Sequence, residues 1–142
     1  MRERAAELKT QARRGRAAEK AAQRAAADAA DVLAKIDAMP DGDRALARRV
    51  HEVVTTAAPD LAPKLYYGQP GYAREGKVVC FFRSGQVDKL RYSTFGFSPE
   101  ADLDEAGGLW ATSYALTTDA DEATWERVGE LVARAAGNTP GR

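Results

Sequence analysis

The spacing of apolar residues divides the chain into helical and extended segments. Residues 1–36 contain neither proline nor an aromatic residue and are rich in Ala, Arg, Lys and Glu, a composition that favours a helix. Leu8 is the only large apolar residue between Arg2 and Asp31. Because such a helix has almost nothing to bury, we expect it to stand in solvent as an arm.

Two further helices are predicted, one on each side of a β-rich stretch. The first covers residues 42–57, with Asp41 as its N-cap, and its buried face consists of Leu46, Val50, Val53 and Ala57. The second follows Thr118 or Asp119 as its N-cap and ends at Gly137. Its inward face comprises Trp125, Val128, Leu131, Val132 and Ala135.

Between these helices the apolar period changes from 3.6 to 2, which predicts a meander of strands. Asp60 begins a short turn of helix through Leu65, which Gly68 closes. Strands follow at 71–74, 77–83, 89–95 and 109–117, and in the last of these Trp110, Thr112, Tyr114 and Leu116 share one face. Helices and strands segregated in this way predict an α+β fold of two layers, an antiparallel sheet of four to five strands with helices on one face.

The bulk composition predicts one domain and few special constraints. We expect residues 1–31 to form the basic, Ala-rich arm, residues 32–137 the α+β domain, and residues 138–142 a disordered tail. The single cysteine, Cys80, excludes an intramolecular disulfide and is typical of a reducing compartment. No apolar run reaches the ~20 residues of a membrane helix. The expectation is a cytoplasmic protein, a monomer or a homodimer, that contacts no membrane.

The motifs of most enzyme classes are absent. The chain has no P-loop, GxGxxG, HExxH or CxxC. His51, the only histidine, lies ~140° around its helix from Leu46, so we expect it to be exposed and without a role. Cys80 belongs to an apolar strand, which predicts a buried, inert thiol. We therefore expect no enzyme and name no catalytic residue.

Three carboxylates stand together in the segment EADLDEAGG. They are Asp102, Asp104 and Glu105. Hard cations such as iron, calcium and magnesium prefer oxygen ligands of this kind, so these residues are the candidate metal site. An ordinary acidic surface loop is the alternative.

The stretch KLYYGQPGY, residues 64–72, is the candidate ligand site. Gly68 and Gly71 permit turns of the backbone, and Pro70 fixes φ at the start of a strand. Tyrosine and tryptophan beside a cation would suit a small polar ligand, whereas the alternative is a packed aromatic corner. The candidate binding residues are Tyr66, Tyr67, Gly68, Pro70, Tyr72, Phe82, Arg91 and Trp110.

Six basic residues of the arm follow helical spacing, namely Arg2, Lys9, Arg13, Arg16, Lys20 and Arg24. At ~100° per residue they lie within an arc of about 80° on one face of the helix. Residues 1–24 carry eight basic and three acidic side chains, a net charge of +5, so residues 25–142 carry −5. The face is either simply solvated or contacts an anionic partner, which would be a nucleic acid or an acidic surface of this domain or of a second copy.

Several motifs of the domain follow a single pattern. They are the helix end IDAMP, the elbow APD, the corner YGQPGY and the strand GKVVCFF, continued by RYSTFGFSPEADLDEAGGLW and preceded by the basic arm RERAAELKTQARRGRAAEK. On these motifs residues 1 to about 137 resemble the YdhG-like family, bacterial domains of unknown function. Some relatives are described as frataxin-like iron chaperones. The resemblance implies a YdhG-like domain that delivers iron through surface carboxylates without turnover, with iron as its cargo and iron-using proteins as its partners.

The sequence therefore predicts a non-enzymatic binding protein. The leading hypothesis is an iron chaperone that uses the carboxylate segment. The alternative is a module for small ligands or protein partners that uses the tyrosine corner, with the basic arm contacting an anionic partner.

Overall fold

The computed structural model describes residues 2–137, in which three α-helices accompany a five-stranded sheet. Helices α1 (Arg2–Asp37) and α2 (Asp41–Ala57) precede the sheet, and α3 (Glu122–Ala135) follows it. The strands are β1 (Ala62–Tyr66), β2 (Gln69–Arg74), β3 (Lys77–Arg83), β4 (Ser93–Phe97) and β5 (Ser113–Leu116), and they form an antiparallel meander in chain order. The predicted α+β class is confirmed. The predicted disordered tail, 138–142, lies outside the described residues.

The core fills the space between the helices and one face of the sheet. Fully buried strand residues such as Tyr72, Phe82 and Phe95 pack there with apolar helix residues such as Val50 and Val132. Helix α1 contacts β1 and β2, and α3 contacts β3 and α2. Burying an apolar side chain of this size stabilises the fold by about 1.5–3 kcal/mol, so these contacts provide most of the favourable free energy.

The opposite face of the sheet lies away from this core. One cross-strand row runs over all five strands through Lys64, Gly71, Phe81, Gly96 and Ser113. Lys64 and Ser113 are exposed, and Phe81 is only partly buried. We call this surface the open face, and its side chains are those of Lys64, Tyr66, Val78, Phe81, Arg83, Thr94, Ser113 and Ala115.

The helical turn predicted to begin at Asp60 is wrong, because this part of the chain forms β1, an edge strand. Leu65 pairs with Pro70 and Tyr66 with Gln69, which leaves a two-residue turn at Tyr67 and Gly68. Both turn residues have positive φ, 49° and 77°, as type I′ hairpins require. Gly68 therefore closes a hairpin and not a helix. The usual signal is Asn-Gly, and a tyrosine in the first position concealed the turn.

The strand predicted to begin at residue 89 begins at Ser93 instead. Residues Gly85–Asp88 form a 3₁₀ turn, and Lys89 follows with a φ of 56°, which ends that turn before a strand can start. The Arg83 guanidinium donates to both carboxylate oxygens of Asp88, at 2.6 and 2.8 Å, and so stabilises the turn. Residues 89–92 of the predicted strand therefore do not belong to the sheet.

The last strand is shorter than predicted, since β5 begins at Ser113. Tyr114 and Leu116 lie on one face as expected, whereas Trp110 and Thr112 precede the strand. The Thr112 carbonyl still accepts a hydrogen bond from the Phe97 N–H at 2.7 Å, so the ladder ends there.

Two predicted helix caps lie at other residues. The α2 helix already includes Asp41, with Pro40 at the N-cap position and no side-chain cap. The α3 helix is capped by Asp121, whose carboxylate accepts a hydrogen bond from the Thr124 N–H at 2.9 Å. Asp121 stands three residues before that donor, which is the spacing of an N-cap, whereas the predicted Thr118 and Asp119 stand too early.

The arm is one continuous helix with the part of α1 that packs on the domain. Residues 2–27 are exposed, whereas Val32 and Ile36 are fully buried. The helix shows no break at the boundary predicted after residue 31. None of the helices within residues 2–137 combines the length and apolar character needed to cross a bilayer.

Asp43 joins the first turn of α2 to the loops at one end of the sheet. Its carboxylate accepts hydrogen bonds from the Ser84 hydroxyl, from the Gln86 N–H at 3.2 Å and from the Ser93 hydroxyl at 3.3 Å. Ser93 in turn accepts a hydrogen bond from the Gly85 N–H at 3.0 Å. Ser84 and Ser93 are buried, so these polar groups have no ready access to water if the carboxylate is lost.

We expect Asp43→Ala to lower the free energy of unfolding by about 2–4 kcal/mol, because it leaves the two buried hydroxyls of Ser84 and Ser93 without this acceptor. Urea denaturation followed by circular dichroism measures the change. The matched control is Asp41→Ala in the same helical turn, where the side chain is 97 % exposed and the loss should stay below about 1 kcal/mol. Equal losses in the two variants would contradict a central role of Asp43.

Candidate functional site

The sheet separates the predicted tyrosine corner onto two faces. Tyr72 and Phe82 are fully buried in the core, and Pro70 is buried as well. Tyr66 lies on the open face, and Tyr67 extends from the turn between β1 and β2. The side chains of a strand point alternately to the two faces of the sheet. Since Tyr66 lies on the open face and Tyr72 on the core side, the two cannot line the same pocket.

The other two predicted binding residues also lie apart from the tyrosines. Arg91 lines a cavity of about 120 Å³ near the start of α2, and its guanidinium lies 5.5 Å from the centroid of the Tyr92 ring. Trp110 is 39 % exposed and lies in the loop before β5. The residues of the candidate ligand site therefore do not share one surface, since Tyr72 and Phe82 are buried in the core and Tyr66 lies on the open face.

Three aromatic rings meet on and beside the open face. The ring centroids of Tyr66 and Phe81 are 5.1 Å apart, and those of Tyr66 and Tyr67 are 4.6 Å apart in an edge-on arrangement. Tyr66 and Phe81 are partly buried, whereas Tyr67 is 84 % exposed. We call these three residues the aromatic cluster. Phe81 is the member that sequence reasoning missed, because its strand is apolar on both faces.

Two glycines make room for the aromatic cluster. Phe81 pairs with Gly71 on β2 and with Gly96 on β4. A Cβ at Gly96 would lie within 3.0 Å of three Phe81 ring atoms, and a Cβ at Gly71 would lie 2.9 Å from the Tyr66 Cβ. A side chain at Gly96 would collide with the Phe81 ring, and one at Gly71 would collide with the Lys64 carbonyl oxygen and the Tyr66 Cβ. Glycines at both cross-strand neighbours of Phe81 were the available signal, but it depends on the register.

The predicted metal residues lie on a segment that packs along the end of α3. The Asp102 N–H donates to the Ala135 carbonyl at 2.9 Å, and Glu105 forms an ion pair with Arg134 at 2.7 Å. Arg134 also donates to the Asp104 carbonyl at 3.4 Å. In the described part of the chain, no three His, Cys, Asp or Glu side chains are grouped so as to hold a metal ion. Iron binding by Asp102, Asp104 and Glu105 stays a prediction.

The basic side chains predicted to share one face lie on the exposed part of α1. We call Arg2, Lys9, Arg13, Arg16, Lys20 and Arg24 the basic stripe, and all six are exposed. No carboxylate among residues 2–137 forms an ion pair with any of them. The acidic residues Glu3, Glu7 and Glu19 fall outside the arc of about 80° that the stripe occupies. From Arg2 to Arg24, every charged side chain within this arc is therefore cationic.

His51 is not the exposed residue that the helix spacing predicted. It is partly buried, and its Nδ1 lies 3.0 Å from the hydroxyl of the fully buried Tyr72. The side of α2 that carries His51 thus also packs on the sheet, which the Leu46 face alone did not indicate. Burial lowers the pKa of His51 below its ordinary value of 6.5. Cys80 is buried as predicted, and this burial raises its pKa to about 12.

We expect the folded state to lose stability as the pH falls through the lowered pKa of His51. The folded pKa lies below the unfolded value of 6.5, so the stabilising contribution is complete above that pH and is lost on acidification. Urea denaturation between about pH 5 and pH 8 measures it. His51→Gln keeps hydrogen-bonding groups but does not titrate, so its stability should vary less over this range. Identical pH profiles for the two proteins would contradict the effect.

Comparisons of the chain with protein-family models, with curated proteins and with solved structures found no match. The likeness to the YdhG-like family therefore stays a prediction from the motifs.

Proposed function

We propose that this chain is a non-enzymatic nucleic-acid-binding protein that contacts phosphates through the basic stripe. The observation that supports this function is the alignment of six cationic side chains on an exposed helix, without a carboxylate partner among the described residues. Cations held in this way remain available to an external anion.

The length of the stripe matches a linear polyanion. From Arg2 to Arg24 the helix rises ~33 Å at ~1.5 Å per residue. A DNA duplex presents one phosphate charge per ~1.7 Å of its axis, so a straight row of cations on this scale can neutralise several phosphates. Each neutralised phosphate releases counterions, and this release drives binding at low salt.

The chemistry of the stripe favours a nucleic acid over a protein partner. Leu8, the only large apolar residue of the exposed arm, lies outside the arc of the stripe. Protein interfaces have an apolar centre enriched in aromatic residues, whereas phosphate contacts require only donors and positive charge. Residues 25–142 carry a net charge of −5, so an acidic surface of a second copy is the competing partner that an experiment must separate.

The iron delivery implied by the family resemblance stays a separate prediction. Anaerobic calorimetric titration with ferrous iron tests it. The triple variant Asp102→Ala, Asp104→Ala, Glu105→Ala then shows whether any heat of binding depends on the carboxylate segment.

We expect the full chain to bind a DNA duplex at low salt with a slope of log K against log salt of up to about −5, since each phosphate contact contributes about −0.9. Fluorescence anisotropy at salt concentrations from about 50 to 200 mM measures the slope. Arg13→Gln with Arg16→Gln should make the slope less steep by about 2 and weaken binding. The melting temperature should not change, because both residues are exposed.

The matched control is Arg4→Gln with Arg14→Gln, which removes the same charge from the other side of the arm. Equal losses in the two double variants would overturn the role of the stripe, and absence of binding to both duplex and single-stranded DNA at low salt would overturn the function. Light scattering distinguishes the competing partner. A dimer that dissociates as salt increases, in a protein that binds no DNA, would identify the acidic surface of a second copy instead.

A further inference from the structure

The aromatic cluster contains a ring that the fold does not require. Tyr67 has a φ of 49° in the two-residue turn, where glycine, asparagine and aspartate are favoured. Its side chain is 84 % exposed, and its one ring contact is the edge-on contact with Tyr66. A tyrosine there gains little burial and has an unfavourable backbone conformation. Residues held in such conformations cluster at binding sites.

The other two rings extend this exposed ring across the sheet. Tyr66 on β1 and Phe81 on β3 lie 5.1 Å apart, with their planes inclined by 34°. Gly71 and Gly96 beside Phe81 carry no side chain that would stand above the rings. The cluster is therefore an open aromatic surface. It differs from the concave, enclosed pockets that bind most small molecules.

Lys64 lies on the same face of the sheet as the rings. Lys64 precedes Tyr66 by two residues on β1 and is exposed, and its Nζ donates to the Gly76 carbonyl at 3.3 Å. Arg83 follows Phe81 by two residues, but its charge is offset by Asp88. Within residues 2–137 no carboxylate forms an ion pair with Lys64, so it can contact an external anion.

We propose that the open face takes unpaired bases of a single-stranded nucleic acid, stacked on Tyr66, Tyr67 and Phe81, with Lys64 on a phosphate. This proposal rests on the proposed function and assigns its ligand to the single-stranded class. In a duplex each base is stacked on its neighbours, whereas an unpaired base offers its face to an aromatic ring. Such stacking tolerates every base, because every base has a π face.

Three probes separate stacking from phosphate contacts. They are an oligothymidylate of about 12 nucleotides, an abasic oligomer of the same length, and a duplex of about 12 base pairs. The abasic oligomer keeps the phosphates and lacks the bases. We expect the full chain to bind oligothymidylate at least roughly tenfold more tightly than the abasic oligomer at equal salt.

Tyr67→Asn should weaken oligothymidylate binding roughly tenfold and leave the abasic oligomer unaffected, because it removes one stacking ring. Its melting temperature should be unchanged or higher, since asparagine suits the positive φ of the turn. The matched control is Leu109→Asn, which removes another large apolar side chain, 86 % exposed, and should change neither affinity. Tyr66→Leu keeps apolar bulk without the hydroxyl or ring, and gives a second test should Tyr67→Asn alter the fold.

The outcomes separate this proposal from the proposed function. Equal affinity of the wild type for oligothymidylate and the abasic oligomer, or unchanged binding by both Tyr67→Asn and Tyr66→Leu, overturns base stacking. If the double variant Arg13→Gln with Arg16→Gln still binds all three probes more weakly than the wild type does, the stripe keeps its role. If that double variant changes nothing while Tyr67→Asn weakens oligothymidylate binding, the open face binds without the stripe. If the wild type binds none of the three probes, both proposals are overturned.

Discussion

The antiparallel register of β2 and β3 determines the surfaces on which the rest of the structure depends. Tyr72 opposes Cys80 on the core side, and Gly71 opposes Phe81 on the open face. A slip of β3 by one residue against β2 would move Phe81 into the core and turn Cys80 and Phe82 onto the open face. The two-residue turn at Glu75 and Gly76, whose φ values are 51° and 83°, sets the pairs next to it, and a bulge between Ala73 and Tyr72 then shifts the pairing by one residue so that Tyr72 opposes Cys80. The core and the candidate binding surface are thus two results of the same pairing.

The middle of the sheet and the end of the sheet near α2 are stabilised by different interactions. Apolar side chains bury the middle of the sheet under the helices, whereas the end near α2 is held by the carboxylate of Asp43 and the hydroxyls of Ser84 and Ser93. Such hydrogen bonds are directional, so they fix the position of the α2 start relative to the loops before β4 more narrowly than apolar packing does. His51 and Tyr72 form a second polar contact, inside the layer between α2 and the sheet.

Sequence reasoning found what depends on local periodicity and missed what depends on register or on unusual turn residues. Composition located α1, apolar spacing located α2 and α3, and a continuous apolar run located the central strand from Lys77 to Arg83. The strand β1 is short and contains Pro63, and its turn begins with a tyrosine, so neither strand nor turn had its usual signal. The contact between Phe81 and its flanking glycines appears only when three strands are aligned, and no pattern along one strand contains it.

The continuity of α1 has a geometric consequence for the arm. Val32 and Ile36 are fixed in the core, and the same unbroken helix carries the basic stripe, so the direction in which the stripe faces is set by the number of residues between them. One inserted residue would rotate the stripe by ~100° about the helix axis and move it by ~1.5 Å. A flexible linker would tolerate such an insertion, whereas in a rigid helix the insertion changes the direction in which the stripe faces. The exposed arm therefore has a length that matters, although it buries almost nothing.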